Sequence, residues 1–62
     1  MEVKEIIPNL NKKVRYKDST SYTLTAGIIR RDQQGNIYYT AELLDKNGNS
    51  VVIVGLEDIE RM

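Results

Sequence analysis

Residues 41–54 read Ala-Glu-Leu-Leu-Asp-Lys-Asn-Gly-Asn-Ser-Val-Val-Ile-Val. Asn47 and Gly48 lie between two apolar runs, and both residue types tolerate the positive φ angles of a tight turn. The stretch therefore predicts an antiparallel hairpin with Asn47-Gly48 as a two-residue loop. In that register Leu44 lies opposite Val51, and the pairing continues away from the loop.

The predicted register divides the hairpin into two faces, because successive residues of a strand point to opposite sides. The face predicted to enter the core carries Ala41, Leu43, Val52 and Val54. The face predicted to lie outside carries Leu44, Val51 and Ile53. An exposed aliphatic cluster in so small a domain indicates a surface for self-association or for a partner. Equally open is an N-terminal arm that covers this cluster with Ile6, Ile7 and Leu10.

Alternation with a period of two predicts further strands on the N-terminal side of this hairpin, at residues 12–17, 22–31 and 36–44. In the second of these the pattern places four residues on one face, Tyr22, Leu24, Ala26 and Ile28. Gly27 inside that run indicates a bend or a bulge. The turn composition of residues 32–35 predicts a second hairpin, and residues 18–21 have the composition of a loop.

The two ends of the chain have their own signals. Leu56 and Ile59 are spaced as in a single helical or 3-10 turn, which a short closing strand is predicted to follow. Residues 1–11 are predicted to form an irregular arm, with Ile7 extended because Pro8 disfavours helical geometry at the residue before it. No linker divides the 62 residues, so residues 1–62 are predicted to form a single domain.

Short strands separated by turn signals predict an all-β fold, a small antiparallel barrel of about five strands with a one-turn helix or 3-10 turn near the C-terminus. Over residues 12–62 this order resembles the SH3-like small β-barrel. The resemblance rests on the strand at 13–17, the hairpins at 32–36 and 45–49, and the turn Leu56-Glu57-Asp58-Ile59.

The chain departs from two branches of that family. It has no Trp, whereas signalling SH3 domains carry a Trp pair, and residues 18–21 stand where KOW barrels carry a glycine motif. The chain is also similar to small SH3-like proteins of bacterial and phage genomes. That resemblance implies an accessory protein of a phage or mobile element.

Composition excludes several classes of chemistry. The chain contains no Cys and no His, which excludes a disulfide framework, a Cys/His zinc site and a Cys–His or Ser–His catalytic pair. A barrel of this size rarely desolvates a carboxylate, Lys or Tyr, so we expect no enzyme activity and no cofactor. The carboxylates of Glu57, Asp58 and Glu60 are predicted to be solvated rather than to hold Mg²⁺. No apolar run is long enough to span a membrane, and the absence of Cys favours a cytoplasmic location.

Charge is separated along the chain although the formal net charge is zero. Residues 1–31 carry seven basic and three acidic side chains, and residues 32–62 carry two basic and six acidic ones. If they lie together, six basic residues form a patch suited to phosphate contacts: Lys12, Lys13, Arg15, Lys17, Arg30 and Arg31. The alternative is neutralisation within the barrel, with Glu60 facing Arg15 or Lys17 across the first and last strands.

Of the four tyrosines, Tyr38 is predicted to be the exposed one, with Arg30 or Arg31 near it across the first hairpin. The leading functional prediction is therefore a non-catalytic module that binds a protein partner, or a second copy, through Arg30, Arg31, Tyr38, Leu44, Val51 and Ile53. The alternative is nucleic-acid binding through the basic residues, with Tyr38 as a stacking residue. A third hypothesis is a structural subunit that adds an edge strand to a neighbour.

Overall fold

The computed structural model describes residues 1–17 and 20–62. Five strands follow one another along the chain: β1 (Lys13–Tyr16), β2 (Thr20–Arg31), β3 (Ile37–Leu44), β4 (Val51–Gly55) and β5 (Ile59–Arg61). A 3-10 turn at Val3–Glu5 and the one-turn helix α1 (Ile6–Asn9) precede them, and a second 3-10 turn at Leu56–Asp58 joins β4 to β5. The predicted strands and the predicted turn near the C-terminus are confirmed.

The five strands form one antiparallel sheet in the order β4-β3-β2-β1-β5. The pairing of β5 with β1 is the non-sequential step, because every other neighbour in the sheet follows in chain order. In the described part of the chain the sheet does not close into a barrel, since β4 and β5 stand at its two ends. The predicted closure is therefore corrected to an open sheet with two edges.

Both predicted hairpins are present, and their loops follow from the turn residues. In the β2–β3 hairpin the Asp32 carbonyl accepts a hydrogen bond from Gly35 N–H at 3.1 Å, and Gly35 has φ +88°. In the β3–β4 hairpin Asp45 and Gly48 form the same bond at 3.0 Å, with Gly48 at φ +70°. Such positive φ angles are costly for residues that carry a Cβ atom.

Aspartate side chains complete both loops, which makes stability sensitive to acid. Backbone N–H groups of Asn36 and Gln34 donate to Asp32, and Asn49 N–H donates to Asp45, at 2.8–2.9 Å. These hydrogen bonds favour the ionised forms, so the pKa of each Asp carboxyl lies below its ordinary value.

We expect the protein to lose stability as the solution is acidified. A lowered folded-state pKa means that the stabilisation is complete above the ordinary Asp range, near pH 4, and is lost as the pH falls through the lowered values. Urea unfolding at pH 7, 4, 3 and 2 measures this slope. The double variant Asp32→Asn/Asp45→Asn should be less stable at pH 7 and should have a shallower slope. An unchanged slope in that variant would contradict this assignment.

A β-bulge interrupts β2 at Thr25. Leu24 pairs with Leu43, and Ala26 pairs with Glu42, so Thr25 has no partner of its own. Its hydroxyl contacts the Glu42 carboxylate at 2.8 Å and lies 3.1 Å from the Glu42 carbonyl oxygen. A bend or bulge was predicted at Gly27. Because the bulge lies at Thr25 instead, the later residues of β2 lie on the opposite faces of the sheet from those predicted.

The extra residue reverses the alternation of β2 beyond Leu24. Gly27 pairs with buried Ala41, so Gly27 and Ile29 lie on the core side of the sheet. Ala26 and Ile28 lie on the outer side, which corrects their predicted placement with Leu24. Thr20 and Ser21, predicted as loop, are the first residues of β2, whereas Asp18 and Ser19 of that predicted loop lie outside the described residues.

The core is a small set of aliphatic side chains from four of the five strands, the arm and the second 3-10 turn: Ile6, Val14, Leu24, Ala41, Leu43, Leu56 and Ile59. The N-terminal arm contributes Ile6, which packs over Gly27; a Cβ atom there would lie 2.7 Å from Ile6 Cγ2. The arm is helical rather than irregular, and the prediction of an extended Ile7 is wrong. Pro8 fits because it lies in the first turn of α1, where its missing N–H has no intrahelical partner.

Polar contacts fasten the arm to the C-terminal end of the sheet. The Met1 ammonium donates to the Ile59 carbonyl at 2.8 Å and to the Leu56 carbonyl at 3.0 Å. Arg61 Nε lies 2.8 Å from the Glu5 carboxylate. The Glu2 N–H donates to that carboxylate and, with Arg61, lowers the pKa of Glu5. Within residues 1–17 and 20–62 no helix has the length and apolar character to cross a membrane.

Candidate functional site

The strand β4 forms one edge of the sheet, with β3 as its hydrogen-bonded neighbour. The register of the β3–β4 hairpin is as predicted, with Leu44 opposite Val51 and Glu42 opposite Ile53. The loop has four residues between Asp45 and Ser50 instead of two. Because one residue was added on each side of Asn47-Gly48, the predicted side-chain pairing is unchanged.

The loop determines which backbone groups of β4 face the open edge. Asp45 N–H donates to the Ser50 carbonyl at 3.0 Å, so the polar backbone groups of Ser50 point towards β3. Along a strand these groups point alternately to the two sides within the sheet plane. The N–H and C=O groups of Val51, Ile53 and Gly55 therefore point away from β3, towards the open edge.

The side chains at this edge are aliphatic on both faces of the sheet. Val51 is 49% exposed and Ile53 45% exposed on the outer face, where partly buried Leu44 adjoins them. We call these three residues the outer aliphatic surface. On the core side, Val52 is exposed and Val54 is partly buried. No residue of β4 carries a charge.

The N-terminal arm lies on the other side of the sheet from the outer aliphatic surface. Ile6 packs on Gly27 from the core side, and the arm borders an apolar groove with Ile29 and Tyr39. Ile7 remains 80% exposed. The alternative in which Ile6, Ile7 and Leu10 cover the outer aliphatic surface is therefore wrong, and that surface is accessible to solvent.

Glu42 is the charged residue beside the outer aliphatic surface, since it pairs with Ile53 across the sheet. Its carboxylate accepts the hydrogen bond from Thr25 of β2, which lies on the side of β3 away from β4. The bulge thus holds this charge towards the middle of the sheet. Sequence reasoning missed this contact because nothing in residues 22–31 distinguishes Thr25 from its neighbours.

The predicted partner surface is divided by the structure. Tyr38 is exposed and pairs with Arg30, as expected, and Arg30 Nε lies 3.4 Å from Thr40 Oγ1. Arg31 follows Arg30 in β2 and therefore points to the other face. Tyr38 and Leu44 lie at opposite ends of β3, about 20 Å apart at the usual rise of a strand. Arg30 and Tyr38 thus form a site separate from the outer aliphatic surface.

The predicted basic residues also fall into two groups. Lys12, Lys13, Arg15 and Lys17 lie in or beside β1, whereas Arg30 and Arg31 end β2. Lys13 pairs with Thr23, which is about 23 Å along β2 from Arg30 at the usual strand rise. Arg15 pairs with Glu60, and their charged groups approach to 3.4 Å. The predicted placement of Glu60 opposite Arg15, across the first and last strands, is confirmed.

The acidic residues near the C-terminus are distributed over two elements. Glu57 and Asp58 belong to the 3-10 turn, whereas Glu60 belongs to β5 and faces Arg15. Across the described ranges, 1–17 and 20–62, no three acidic side chains lie close enough together to hold a metal ion.

No protein-family model, no curated protein and no solved structure matches this chain.

Proposed function

We propose that this protein is a non-catalytic binding module that recognises an extended segment of a partner protein by strand addition at β4. One observation carries the proposal: β4 is an uncharged edge strand whose outward backbone groups, at Val51, Ile53 and Gly55, are directed away from β3. Strand addition gains affinity from main-chain hydrogen bonds and specificity from the alternating side chains.

The contrast between the two sheet edges supports this proposal. The edge strand β5 carries Glu60 and Arg61, and charged side chains discourage pairing with another chain. The edge strand β4 has β-branched residues at four successive positions, Val51–Val54, with neither Lys nor Pro among them. Natural sheets usually protect such an edge, so an unprotected one favours a role in recognition.

The chemistry around β4 indicates the kind of segment that fits. A partner strand places alternate side chains beside Ile53 on the outer face and beside Val52 and Val54 on the core-side face. Both environments are aliphatic, so the favoured segment is extended, uncharged and rich in β-branched residues.

The same proposal includes the finer fold assignment. The meander β1–β4, the 3-10 turn at Leu56–Asp58 and the return of β5 to β1 support an SH3-like arrangement. An accessory role in a phage or mobile element stays a prediction from resemblance.

Selection of phage-displayed twelve-residue peptides on the immobilised protein tests the binding role. We expect enriched peptides to be extended and β-branched, and to shift the amide resonances of residues 51–55. Ile53→Pro should weaken them about tenfold or more, because it removes an outward N–H that β3 does not use. Ile53→Ala, the matched control, keeps that N–H and should bind within a few-fold of the unmodified protein.

Two further results complete the test of strand addition. Ile53→Lys supplies a second disruptive variant, in which a charged side chain enters the aliphatic surface, and its folded spectrum can be checked independently. Peptides that shift residues 29–38 instead of 51–55, or that bind Ile53→Pro as tightly as Ile53→Ala, would overturn the proposal.

Charge pairing favours protein binding over nucleic-acid binding. Glu60 forms an ion pair with Arg15, and the two groups of basic residues lie at opposite ends of β2. We expect short single- and double-stranded DNA and RNA to cause no amide shifts near physiological salt. Saturable shifts at Arg15, Lys17 and Arg30 that weaken with salt would instead support the nucleic-acid role.

A further inference from the structure

We infer that a second copy of this chain fits the β4 edge, with the two β4 strands antiparallel and related by a twofold axis at Ile53. This inference rests on the proposed strand addition and names one occupant for it. In the resulting dimer the two five-stranded sheets become one continuous sheet, with β4 of each copy at its centre.

Symmetry limits the registers that such a dimer can adopt. A twofold axis perpendicular to the sheet keeps each face on its own side, so residues of like face must lie opposite one another. With the axis at Ile53, Val51 of one copy lies opposite Gly55 of the other, and all three outward residues find backbone partners. An axis at Val52 or at Val54 leaves one outward residue of β4 without a partner in the other β4.

The side chains are self-complementary in the register centred on Ile53. On the outer face the two Ile53 side chains are neighbours, which joins the outer aliphatic surfaces of both copies. On the core-side face Val52 of each copy lies opposite Val54 of the other. No like charges are brought together within β4, and the formal net charge of zero produces no long-range repulsion.

The size of the contact sets its strength. A single five-residue strand pair buries less than the roughly 1,200–2,000 Å² of a standard stable interface. We therefore expect a weak dimer in rapid exchange, with a Kd on the order of 100 μM, rather than an obligate one. Gly55 opposite Val51 leaves space on the outer face, which also limits the packing.

Sedimentation equilibrium between about 10 μM and 1 mM tests the dimer. The unmodified protein should pass from monomer to dimer over this range. Ile53→Pro and Ile53→Lys should raise the Kd at least tenfold, so that no more than about half of their chains are dimeric at 1 mM, against about four fifths for the unmodified protein. Ile29→Lys, which changes an exposed residue on the opposite face, should dimerise like the unmodified protein. A clean monomer at 1 mM, or dimerisation lost in Ile29→Lys but kept in Ile53→Lys, would overturn the inference.

The register has its own test because the chain contains no cysteine. Ile53→Cys places two thiols side by side at the axis, within the distance that a disulfide spans. At equal concentration and mild oxidant we expect it to cross-link at least tenfold faster than Ile29→Cys, the control. Equal rates would contradict the register.

The two proposals can fail separately. A monomer at 1 mM whose residues 51–55 still respond to selected peptides overturns the dimer and retains strand addition. A dimer that forms through Ile53 while selected peptides bind elsewhere supports self-pairing and overturns recognition of a partner segment.

Discussion

Leu24→Ala is expected to remove most of the stability of this protein. Leu24 is fully buried in the long central strand β2, between β1 and β3. Truncating a buried Leu to Ala costs about 2–5 kcal/mol, because the lost contacts and the cavity both count. A domain of this size has a free energy of unfolding of about 3–9 kcal/mol, so the variant keeps only a small part of that margin at 25 °C.

Urea unfolding followed by circular dichroism measures this loss. Ile29→Ala is the matched control, because Ile29 lies in the same strand but is 72% exposed. We expect the control to change the free energy of unfolding by less than about 0.5–1 kcal/mol. Equal losses for the two variants would mean that the core does not centre on Leu24.

Gly27→Ala is expected to destabilise the protein even though Ala is the better residue within a strand. An added Cβ atom would lie 2.7 Å from Ile6 Cγ2, which is closer than Cβ atoms approach other atoms in proteins, and at a tight 3.0 Å from Ile6 Cδ1. The change relieves about 0.5–1 kcal/mol of the cost of glycine in a strand, whereas overpacking costs about 1–3 kcal/mol. Overpacking is the larger effect, and we expect α1 to be displaced from the sheet.

A double-mutant cycle with Ile6→Ala tests this assignment. Once the Ile6 side chain is truncated, the Cβ atom at residue 27 has space, so Gly27→Ala should become neutral or stabilising. Amide hydrogen exchange in residues 6–10 should rise in Gly27→Ala alone. If Gly27→Ala costs the same in both backgrounds, the clash with Ile6 is not the cause.

Local turn chemistry made much of the fold predictable. Asp32, Gly35, Asp45 and Gly48 are the residues that their loops require, so both hairpins and the β3–β4 pairing followed from the sequence. The 3-10 turn was likewise predictable from the spacing of Leu56 and Ile59. These features depend on residues close together in the chain, where propensity acts directly.

Several features that depend on distant contacts were not predictable, although the pairing of Arg15 with Glu60 was. Thr25 at the bulge contacts Glu42 of the next strand, and Ile6 of the helical arm packs on Gly27 of β2. A pattern of alternation contains neither contact. Every face assignment after Thr25 in β2 therefore changed, because the bulge adds one residue to that strand.

In the candidate site, too, one feature was predictable from the sequence and another was not. The aliphatic side chains of Leu44, Val51 and Ile53 were predicted to lie outside, and they do. The residues of β4 whose N–H and C=O groups face the open edge were not predictable. The predicted two-residue loop would have turned the backbone groups of Val52 and Val54 towards that edge. A four-residue loop with identical side-chain pairing turns Val51 and Ile53 outwards instead.

Pairing β1 with β5 costs more chain entropy than pairing β3 with β4, because the two pairings close loops of very different length. The loop between Leu44 and Val51 is short, whereas Arg15 and Glu60 enclose residues 16–59. Closing the longer loop costs roughly 1–2 kcal/mol more, because loop entropy grows with the logarithm of length. The bonds from the Met1 ammonium and the Glu5–Arg61 and Arg15–Glu60 ion pairs all lie at or beside the pairing of β1 with β5. They offset the entropy of joining the two ends of the chain, whereas β4 can form early in folding from local contacts alone.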